Sequence, residues 1–290
     1  MLVYLNGDVL ELAQARISPE DRAFLFADGL YEAVLARRGR LLFWDEHERR
    51  LRAGLTALRI DFSQCIALPE PAALRGVAEG LLRSNQLTTG DALVYLQVSR
   101  GAAPRLHAFP EPPVPPTVYM TARAWGGHPP VLVAGGATAL TVADTRWARC
   151  DIKSTALLPN VLAQQQAKEA GAHEAIFVRD GIALEGSHSN LFAVRAGEVW
   201  TYPACNYILD GITRVAVLEL AAAMGIPVRL SAIPLADLYA ADEVFLTGTT
   251  TEVLPVVAVD GRRIGHGLPG PVTAKLREAY LLQVEERSGR

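Results

Sequence analysis

Short runs of β-forming residues, separated by turn signals, dominate the second half of the chain and favour a strand-rich fold there. Tight turns are indicated at 179–181 and at 260–261, where aspartate and glycine supply the backbone conformations that turns require. Only two clear helices, at 160–170 and 213–224, interrupt the runs before a charged helix near the C-terminus. Strands are predicted at 175–178, 182–184, 191–194, 199–202, 243–246 and 256–259.

The first half of the chain alternates between strand-like and helix-like stretches. One hairpin is predicted around Asn6-Gly7, and a second one around the turn 37–40, with strands at 30–36 and 41–43. Asp45 and Glu48 have the spacing of a capping box that would open a helix. A second helix is predicted from Leu74, and strands are predicted at 92–99 and 118–121. These elements predict a mixed α+β unit.

A chain of 290 residues is long enough for two ordinary domains. The proline-rich stretch 110–116 is expected to be extended, and the segment 124–130 combines two glycines with two prolines in the manner of a connection. We therefore predict a small N-terminal α+β domain at 1–123, a linker at 124–130 and a larger C-terminal domain at 131–290.

The composition limits the classes of partner. A formal net charge of −3, with half of the residues hydrophobic, predicts a soluble globular protein without electrostatic attraction to nucleic acid or an anionic membrane. Neither a signal peptide nor an apolar run of about 20 residues, the length of a membrane span, is visible. The three cysteines are odd in number and lack CxxC spacing, which predicts reduced thiols and a cytoplasmic location.

Lys153 carries the strongest single indication of chemistry. The chain holds 28 lysines and arginines, but only three are lysines, and Lys153 lies in a stretch without an amphipathic helical pattern. Arginine stays protonated in proteins, whereas a lysine amine can lose its proton and attack a carbonyl to form an imine. Lys168 and Lys275 lie in helix-like stretches and are expected to be solvated. Lys153 is therefore a Schiff-base candidate, with a surface charge or an ion-pair partner as the alternative.

Two other classes of site are not supported. The tripeptide at Lys153 is similar to the end of a P-loop, but Ile152 and Trp147 occupy the positions where that loop requires glycine. The six histidines show neither i,i+4 pairing nor HxH spacing. A P-loop nucleotidase and a histidine-built metal site are therefore not expected.

Three segments have features of a divided anion-binding site. Gly211 and Thr213 stand at the start of a predicted helix, where free amides and the helix dipole favour a phosphate; an ordinary threonine N-cap is the alternative. The hydroxyl-rich stretch 247–252 follows a buried-looking strand, although such loops are common. Arg50 could add a fixed positive charge to either segment.

Two further patterns could bind charged parts of a ligand. Glu185 lies between two predicted strands and could hold a protonated heterocyclic nitrogen, although a glutamate beside a glycine is usually part of a simple turn. Arg105 and His107 are two positions apart in an extended segment, so both side chains could project toward a carboxylate. Exposed loop charges are the alternative.

Taken in order along nearly the whole chain, these residues closely resemble the D-amino-acid aminotransferases, which are fold-type IV enzymes dependent on pyridoxal 5′-phosphate. The arginine-x-histidine pair indicates this branch rather than branched-chain aminotransferases or aminodeoxychorismate lyases. The matching motifs are Asp28-Gly-Leu-Tyr31-Glu, Glu46-His47 to Arg50-Leu51, Val98-Ser-Arg-Gly101 to Pro104-Arg-Leu-His107, Arg146-Trp to Cys150-Asp-Ile-Lys153-Ser, Glu185-Gly-Ser to Ser189-Asn190, Leu209 to Gly211-Ile-Thr-Arg214 and Thr249-Thr to Glu252.

The resemblance implies a fold and a set of cofactor contacts. It implies a two-domain α+β fold whose larger, cofactor-binding domain is a strand-rich pseudo-barrel. Lys153 would form the Schiff base and carry the proton between the substrate and the cofactor, and Glu185 would pair with the pyridinium nitrogen. Contacts to the phosphate and ring are implied for Arg50, Leu209, Gly211, Ile212, Thr213, Gly248 and Thr249.

The resemblance also implies the substrates. D-amino acids such as D-alanine or D-glutamate would exchange amino groups with 2-oxo acids such as pyruvate or 2-oxoglutarate, with pyridoxamine 5′-phosphate as the alternate cofactor form. Arg105 and His107 would reach the active site of the neighbouring subunit, which implies a homodimer. The implied substrate-binding residues are Tyr31, Arg105, His107, Ser187, His188 and Thr250.

Two positions depart from the family pattern. His188 stands where a serine is common, and it is expected to narrow or recharge the substrate side of the pocket. Gly248 stands where a serine commonly precedes the threonine, and its presence is expected to remove a hydroxyl near the phosphate. The alternative functions within the same fold are a branched-chain L-amino-acid aminotransferase and an aminodeoxychorismate lyase; a non-catalytic carrier of the cofactor is a third.

Overall fold

The computed structural model describes residues 1–65 and 70–289. Contacts divide the chain into two compact units. Unit 1 comprises Met1–Gly127, Ile152–Ala156 and Arg287–Arg290, and unit 2 comprises His128–Asp151 and Leu157–Glu286. The change from one unit to the other after Gly127 falls inside the predicted linker, 124–130. Ile152–Ala156 belongs to unit 1, although the chain on either side of it belongs to unit 2.

Unit 1 is an antiparallel sheet with helices packed on one of its faces. Within the described part of the unit, the strands lie in the order β2-β1-β6-β5-β3-β4. Leu30 and Val34 point into the core beneath the helices, whereas Tyr31 and Ala33 lie half-buried on the opposite face, as strand alternation requires. The elements are β1 (Leu2–Leu5), β2 (Asp8–Glu11), α1 (Arg22–Phe26), β3 (Gly29–Arg37), β4 (Arg40–Leu41), α2 (Trp44–Leu58), α3 (Leu74–Ser84), β5 (Asp91–Ser99) and β6 (Thr117–Ala124).

Unit 2 is built around a larger mixed sheet with helices between its strands. Its first elements are α4 (Pro130–Gly135), β7 (Ala137–Ala143), α5 (Leu158–Glu169), β8 (Glu174–Arg179), β9 (Ile182–Gly186), β10 (Asn190–Arg195) and β11 (Glu198–Thr201). They are followed by α6 (Ile212–Ala223), β12 (Val228–Leu230), β13 (Ile233–Pro234), α7 (Leu235–Tyr239), β14 (Glu243–Gly248), β15 (Glu252–Val259), β16 (Arg262–Arg263) and α8 (Pro271–Arg287).

The sheet of unit 2 closes on itself. Following the hydrogen-bonded neighbours gives the path β10-β14-β15-β7-β8-β9, and β9 then pairs back to β10. The closing pair is Glu185 opposite Asn190. At this closing pair, the edges of β9 and β10 meet each other instead of staying open. The strand-rich pseudo-barrel and the α+β fold class expected from the sequence are thus confirmed.

Several local predictions were wrong in informative ways. The expected capping box does not form, because α2 begins already at Trp44 and Glu48 instead accepts hydrogen bonds from Trp44 Nε1 and Arg52 Nε. The strand predicted at 41–43 is only Arg40–Leu41, since Phe43 turns into the left-handed region with a φ of 54°. The sequence patterns did not predict the short helices α1, α4 and α7 or the strands β7, β12, β13 and β16.

The hairpin around Asn6-Gly7 is confirmed, with both turn residues at positive φ. Across the described residues, no helix combines the length and the apolarity that crossing a membrane requires.

Candidate active site

The backbone around Lys153 is fixed by pairing with β3. The strand β4 covers only the end of β3, so the edge of β3 near Gly29 and Tyr31 would otherwise be open. Tyr31 N donates to Lys153 O at 3.1 Å, and Thr155 N donates to Gly29 O at 3.0 Å. Ile152 is buried in the core of unit 1. The segment therefore holds Lys153 at a defined place on the sheet rather than on a loose loop.

The amine of Lys153 lies against an aromatic ring. Its Nζ is 4.2 Å from the centroid of the Tyr31 ring, which is itself stacked on Tyr95 at 5.7 Å between centroids. Lys153 is half-buried, whereas Lys168 and Lys275 are exposed on helices. The expectation that the other two lysines are solvated is thus confirmed, and Tyr31 and Lys153, both predicted as site residues, are in contact.

A buried charged cluster lies on the opposite face of β3. The carboxylate of Glu32 accepts from Arg50 Nε at 2.8 Å and from Arg50 Nη2 at 2.7 Å, and His47 Nδ1 is 2.7 Å from it. Burial alone would raise the pKa of Glu32, but Arg50 and His47 outweigh burial and lower it to about 2. Burial lowers the pKa of His47, and the positive charges of Arg50 and Lys153 act in the same direction.

Arg105 and His107 lie on an exposed loop, and the backbone of this loop is hydrogen-bonded to a side chain of α1. Arg22 Nη1 donates to Leu106 O at 2.6 Å, and the aromatic ring of Phe26 lies close to both predicted side chains. The Phe26 ring is 5.1 Å from the Arg105 guanidinium carbon and 5.5 Å from the His107 ring. Both side chains are exposed within this chain. The helix α1, which sequence reasoning missed, is therefore what positions this pair.

In unit 2, Glu185 is held at the point where the sheet closes. Its carboxylate accepts from Asn190 Nδ2 at 3.0 Å and from the backbone N of Leu209 at 3.1 Å, and it forms an ion pair with Arg146. Glu185 is only 5% exposed. This residue is thus part of a buried network and not merely a turn residue, and the backbone of Leu209, another residue expected at the site, lies beside it.

Arg146 connects Glu185 to a second buried carboxylate. Arg146 Nε donates to Asp144 at 2.9 Å, its guanidinium lies over the Phe177 ring at 4.2 Å, and Arg179 also binds Asp144. Burial alone would lower the pKa of Arg146, but Asp144 and Glu185 outweigh burial and raise it. Sequence reasoning assigned no role to Arg146 or to Asn190, although both lie within the motifs that carry the family resemblance. The contacts of Arg146 with Glu185 and of Asn190 with Leu209 join residues that are far apart in sequence, so only the fold reveals them.

The amino end of α6 is a glycine-capped helix start. Gly211 is the N-cap and makes no side-chain capping bond, so Ile212 and Thr213 lie in the first turn, with Thr213 buried. The alternative of an ordinary threonine N-cap is therefore wrong. A Cβ at position 211 would collide with Asn190 Oδ1, so only glycine lets the backbone approach this side chain. First-turn amides at a helix start can bind a phosphate.

The predicted hydroxyl-rich segment forms the end of β14 and the turn after it. Thr247 Oγ1 is buried and has no hydrogen-bond partner among the described residues, and Thr247 pairs with Asn190 across the sheet. Gly248 ends β14, and the half-buried Thr249 and Thr250 follow it. A Cβ at Gly248 would lie 3.1 Å from Thr251 Oγ1, so a larger residue would crowd this turn.

Ser187 and His188 lie on the turn that joins β9 to β10, and both contact the buried carboxylate of Glu174. His188 Nδ1 is 3.0 Å from Glu174, while its ring remains exposed. Ser187 Oγ and Ser189 Oγ also donate to Glu174. Burial alone would raise the pKa of Glu174, but His188 and the two serines lower it to about 2. His188 therefore places a titratable ring on this turn, where a serine was expected.

The chain is similar to known proteins over most of its length. The family model for amino-transferase class IV matches residues 29–259. A D-alanine aminotransferase of Staphylococcus haemolyticus is 38% identical over 286 residues, which is 99% of each chain. A D-alanine aminotransferase of Bacillus licheniformis is 39% identical over 279 residues, which is 96% of this chain and 95% of that one.

A solved structure has the same fold over nearly the whole chain. A branched-chain amino acid aminotransferase of T.th., complexed with N-(5′-phosphopyridoxyl)-L-glutamate, has a TM-score of 0.86 and 31% identity. The match covers 99% of this chain and 94% of that one. The same enzyme with pyridoxamine 5′-phosphate gives a TM-score of 0.87. With the family model matching more than half of its residues, this chain belongs to the class IV aminotransferases.

Proposed function

We propose that this chain is a pyridoxal-phosphate-dependent aminotransferase that moves amino groups reversibly between D-amino acids and 2-oxo acids. Its substrates are of the D-alanine and D-glutamate type, with pyruvate and 2-oxoglutarate as the matching oxo acids. The observation that carries the proposal is the half-buried amine of Lys153 against Tyr31, in a chain whose D-alanine aminotransferase relatives match it end to end.

The residues present suit the chemical groups of pyridoxal 5′-phosphate. An aldehyde requires an amine, a pyridinium nitrogen requires a carboxylate, and a phosphate requires amide and hydroxyl donors. Lys153 and Glu185 supply the first two. The glycine-capped start of α6 and the unpartnered buried hydroxyl of Thr247 are donors suited to the third.

We assign the cofactor contacts accordingly. Lys153 would hold the cofactor through its aldehyde group and, once the substrate amine has displaced it, would move the proton at the substrate Cα; Glu185 would hold the ring nitrogen protonated. When bound, the cofactor supplies an electron sink for the carbanion formed at the substrate Cα. Gly211 and Gly248 permit close approach of the backbone, and Leu209 packs against the ring. Arg50, Ile212, Thr213 and Thr249 bind the phosphate.

The proposal assigns the choice of enantiomer to the carboxylate contacts. Tyr31, Arg105 and His107 bind the α-carboxylate, because a guanidinium, an imidazole N–H and a phenol can together donate to both of its oxygens. When the positions of the substrate's α-carboxylate and Cα–H bond are fixed, only one enantiomer can present its amine to the cofactor. The pocket for the substrate side chain is lined by Ser187, His188 and Thr250.

We further propose a homodimer in which Arg105 and His107 serve the active site of the partner subunit. The exposure of both side chains within one chain supports this assignment. A cytoplasmic location is proposed from the free thiols of Cys65, Cys150 and Cys205. Fractionation of cells that express the chain would test the location.

The test of the function is a half-reaction. The holoenzyme mixed with D-alanine alone is expected to convert its cofactor to pyridoxamine 5′-phosphate and to release one pyruvate per site. Retention of the starting absorbance spectrum would contradict the proposal. A reaction with L-leucine instead would indicate a branched-chain enzyme, and pyruvate from aminodeoxychorismate without an amino acceptor would indicate a lyase. Cofactor binding without a half-reaction from either enantiomer would indicate a carrier.

A further inference from the structure

Glu32 is a buried ionised group that the proposed function does not use. It is 2% exposed, lies one residue after Tyr31 on β3, and points to the opposite face of the sheet. Burying a carboxylate is strongly unfavourable unless cations and hydrogen bonds compensate it. Its presence next to Arg50, the residue proposed to bind the phosphate, therefore calls for an explanation.

The geometry of the contact constrains Arg50. The guanidinium meets Glu32 along its Nε–Nη2 edge, with one donor on each carboxylate oxygen at 2.8 and 2.7 Å. A bidentate pair of this kind fixes the plane of the guanidinium as well as its position. The direction of the opposite edge, which carries Nη1, is therefore set by Glu32. Arg50 is mostly buried, with 15% of its side chain exposed.

His47 fixes the carboxylate in turn. Glu32 is ionised and can only accept, so the His47 nitrogen at 2.7 Å must be the donor. One carboxylate oxygen thus receives bonds from both His47 and Arg50, and the other receives a bond from Arg50. Neither the torsion of the carboxylate nor the aim of the guanidinium can change without breaking these contacts.

We propose that Glu32 is a positioning residue that holds Arg50 in the orientation needed to bind the cofactor's phosphate. This inference rests on the proposed function, since it requires Arg50 to contact that phosphate. Holding the guanidinium in place beforehand removes the ordering cost that a long, mobile side chain would add to binding. Glu32 also compensates the charge of Arg50 while the phosphate is absent.

The test compares two ligands that differ only in the phosphate. The apo form of the full chain is titrated with pyridoxal 5′-phosphate and with pyridoxal, and the dissociation constants are read from the absorbance of the bound aldehyde. In Glu32→Gln, an amide donor faces donors of Arg50 or His47, so the pair is broken with little change of volume. The affinity for pyridoxal 5′-phosphate is expected to fall roughly tenfold or more, as for the loss of charged hydrogen bonds. The affinity for pyridoxal is expected to stay the same.

Glu243→Gln is the matched control. Glu243 is also buried, but it accepts hydrogen bonds from Thr273 N and Oγ1 at the start of α8, outside the candidate site. Both dissociation constants are expected to be unchanged in this variant. Glu32→Asp serves as a second variant if Glu32→Gln does not fold, because it keeps the charge but is one carbon too short for the bidentate pair. It too should lose affinity for the phosphorylated ligand alone.

Each outcome decides the question. Equal losses for the two ligands would mean a general structural defect and would overturn the proposal, as would no loss for either. In the double variant with Arg50→Ala, the change at Glu32 should add no further loss of affinity for pyridoxal 5′-phosphate; additive losses would also overturn it. Failure of the unaltered chain to bind pyridoxal 5′-phosphate at all would instead refute the proposed function.

Discussion

At the scale of single residues, an amine becomes a covalent catalyst only where the backbone holds it still and the surroundings shield it. Lys153 meets both conditions, because its carbonyl is bonded to Tyr31 N and its Nζ lies over the Tyr31 ring. Lys168 and Lys275 lie on exposed helix surfaces and lack the shielding. The three lysines of this chain therefore form a natural set for comparison.

Lys153→Ala is expected to abolish covalent attachment of the cofactor and to slow turnover by roughly 10²–10⁴-fold or more through lost proton transfer. Borohydride reduction of the holoenzyme, followed by peptide mass spectrometry, should find the pyridoxyl group only on Lys153. Lys168→Ala and Lys275→Ala should behave as the unaltered enzyme. Label on either of those lysines would contradict the assignment.

Arg105→Ala is expected to raise the KM for D-alanine more than it lowers kcat, because the guanidinium is proposed to bind the carboxylate in ground state and transition state alike. Losing a charged hydrogen bond predicts a rise of roughly 10- to 100-fold. Steady-state kinetics on D-alanine measure the change. Arg83→Ala, which removes an exposed arginine at the end of α3, is the control. An unchanged KM would remove Arg105 from the carboxylate contacts.

The sequence was a better guide to residues with unusual chemistry than to their partners. Lys153 stands out in the linear pattern as a rare amine, whereas the role expected of Glu185 comes from the family resemblance. Glu32 and Arg146 could not be assigned roles, since both resemble ordinary charged residues until strand pairing and helix packing bring their partners close. Partner choice depends on register and packing, which a linear pattern does not contain.

At the scale of elements, the start of α6 depends on having glycine, which has no side chain, at position 211. Gly211→Ala would force a Cβ against Asn190 Oδ1, and Asn190 in turn holds Glu185. The variant is expected to lose cofactor affinity and kcat/KM together, because both the helix start and the Glu185 network must shift. Titration of the apo form and steady-state kinetics measure these two quantities.

Gly80→Ala is the control for this prediction. Gly80 lies inside α3 with open space around its Cα, so alanine there should stabilise the fold by about 0.5–1 kcal/mol and leave activity unchanged. Urea unfolding measures the difference. Unchanged cofactor affinity in Gly211→Ala would contradict the role given to the close approach.

Long elements with a clear periodicity were predicted well, and short ones were not. The helices α2, α3, α5 and α6 lie close to their expected places. The strand β7 was missed because Ala137–Ala143 is rich in alanine, a poor strand former, and becomes a strand through parallel pairing with β8 and β15. The helix α1 has five residues, too few for a periodic pattern, and depends on the cap from Asp21.

At the scale of the whole molecule, each unit carries a buried carboxylate whose pKa is about 2, Glu32 in unit 1 and Glu174 in unit 2. Both values lie below the ordinary 4.5, so each group stabilises the folded state above pH 4.5 and this contribution is lost as the pH falls toward 2. The free energy of unfolding is expected to drop over this window by about 3 kcal/mol for each group.

Urea unfolding at about pH 5, 4 and 3 checks this dependence. Glu174→Gln and Glu32→Gln should each reduce the change in the free energy of unfolding with pH, because a neutral amide does not titrate. A stability that is the same at both ends of this range would contradict the assigned shifts.

The proposed dimer makes a prediction of its own. If Arg105 serves the partner's site, a mixed dimer of Lys153→Ala and Arg105→Ala subunits contains one intact site. At D-alanine concentrations well below the KM of the unaltered enzyme, where each variant alone has little activity, unfolding and refolding the two variants together in equal amounts should restore about one quarter of the unaltered activity. Each variant refolded alone is the control. No recovery in the mixture, with dimers present by light scattering, would place Arg105 in its own subunit's site.

The pairing of Ile152–Ala156 with β3 also has a consequence during synthesis. The first 127 residues of unit 1 emerge from the ribosome ahead of this segment, so the edge of β3 near Tyr31 has no partner at that stage. At about 5–20 residues per second, that edge stays open for roughly one to six seconds, during which another nascent strand can add to it. The edge of β3 is therefore protected only after Lys153, the lysine proposed for catalysis, has itself been added to the chain.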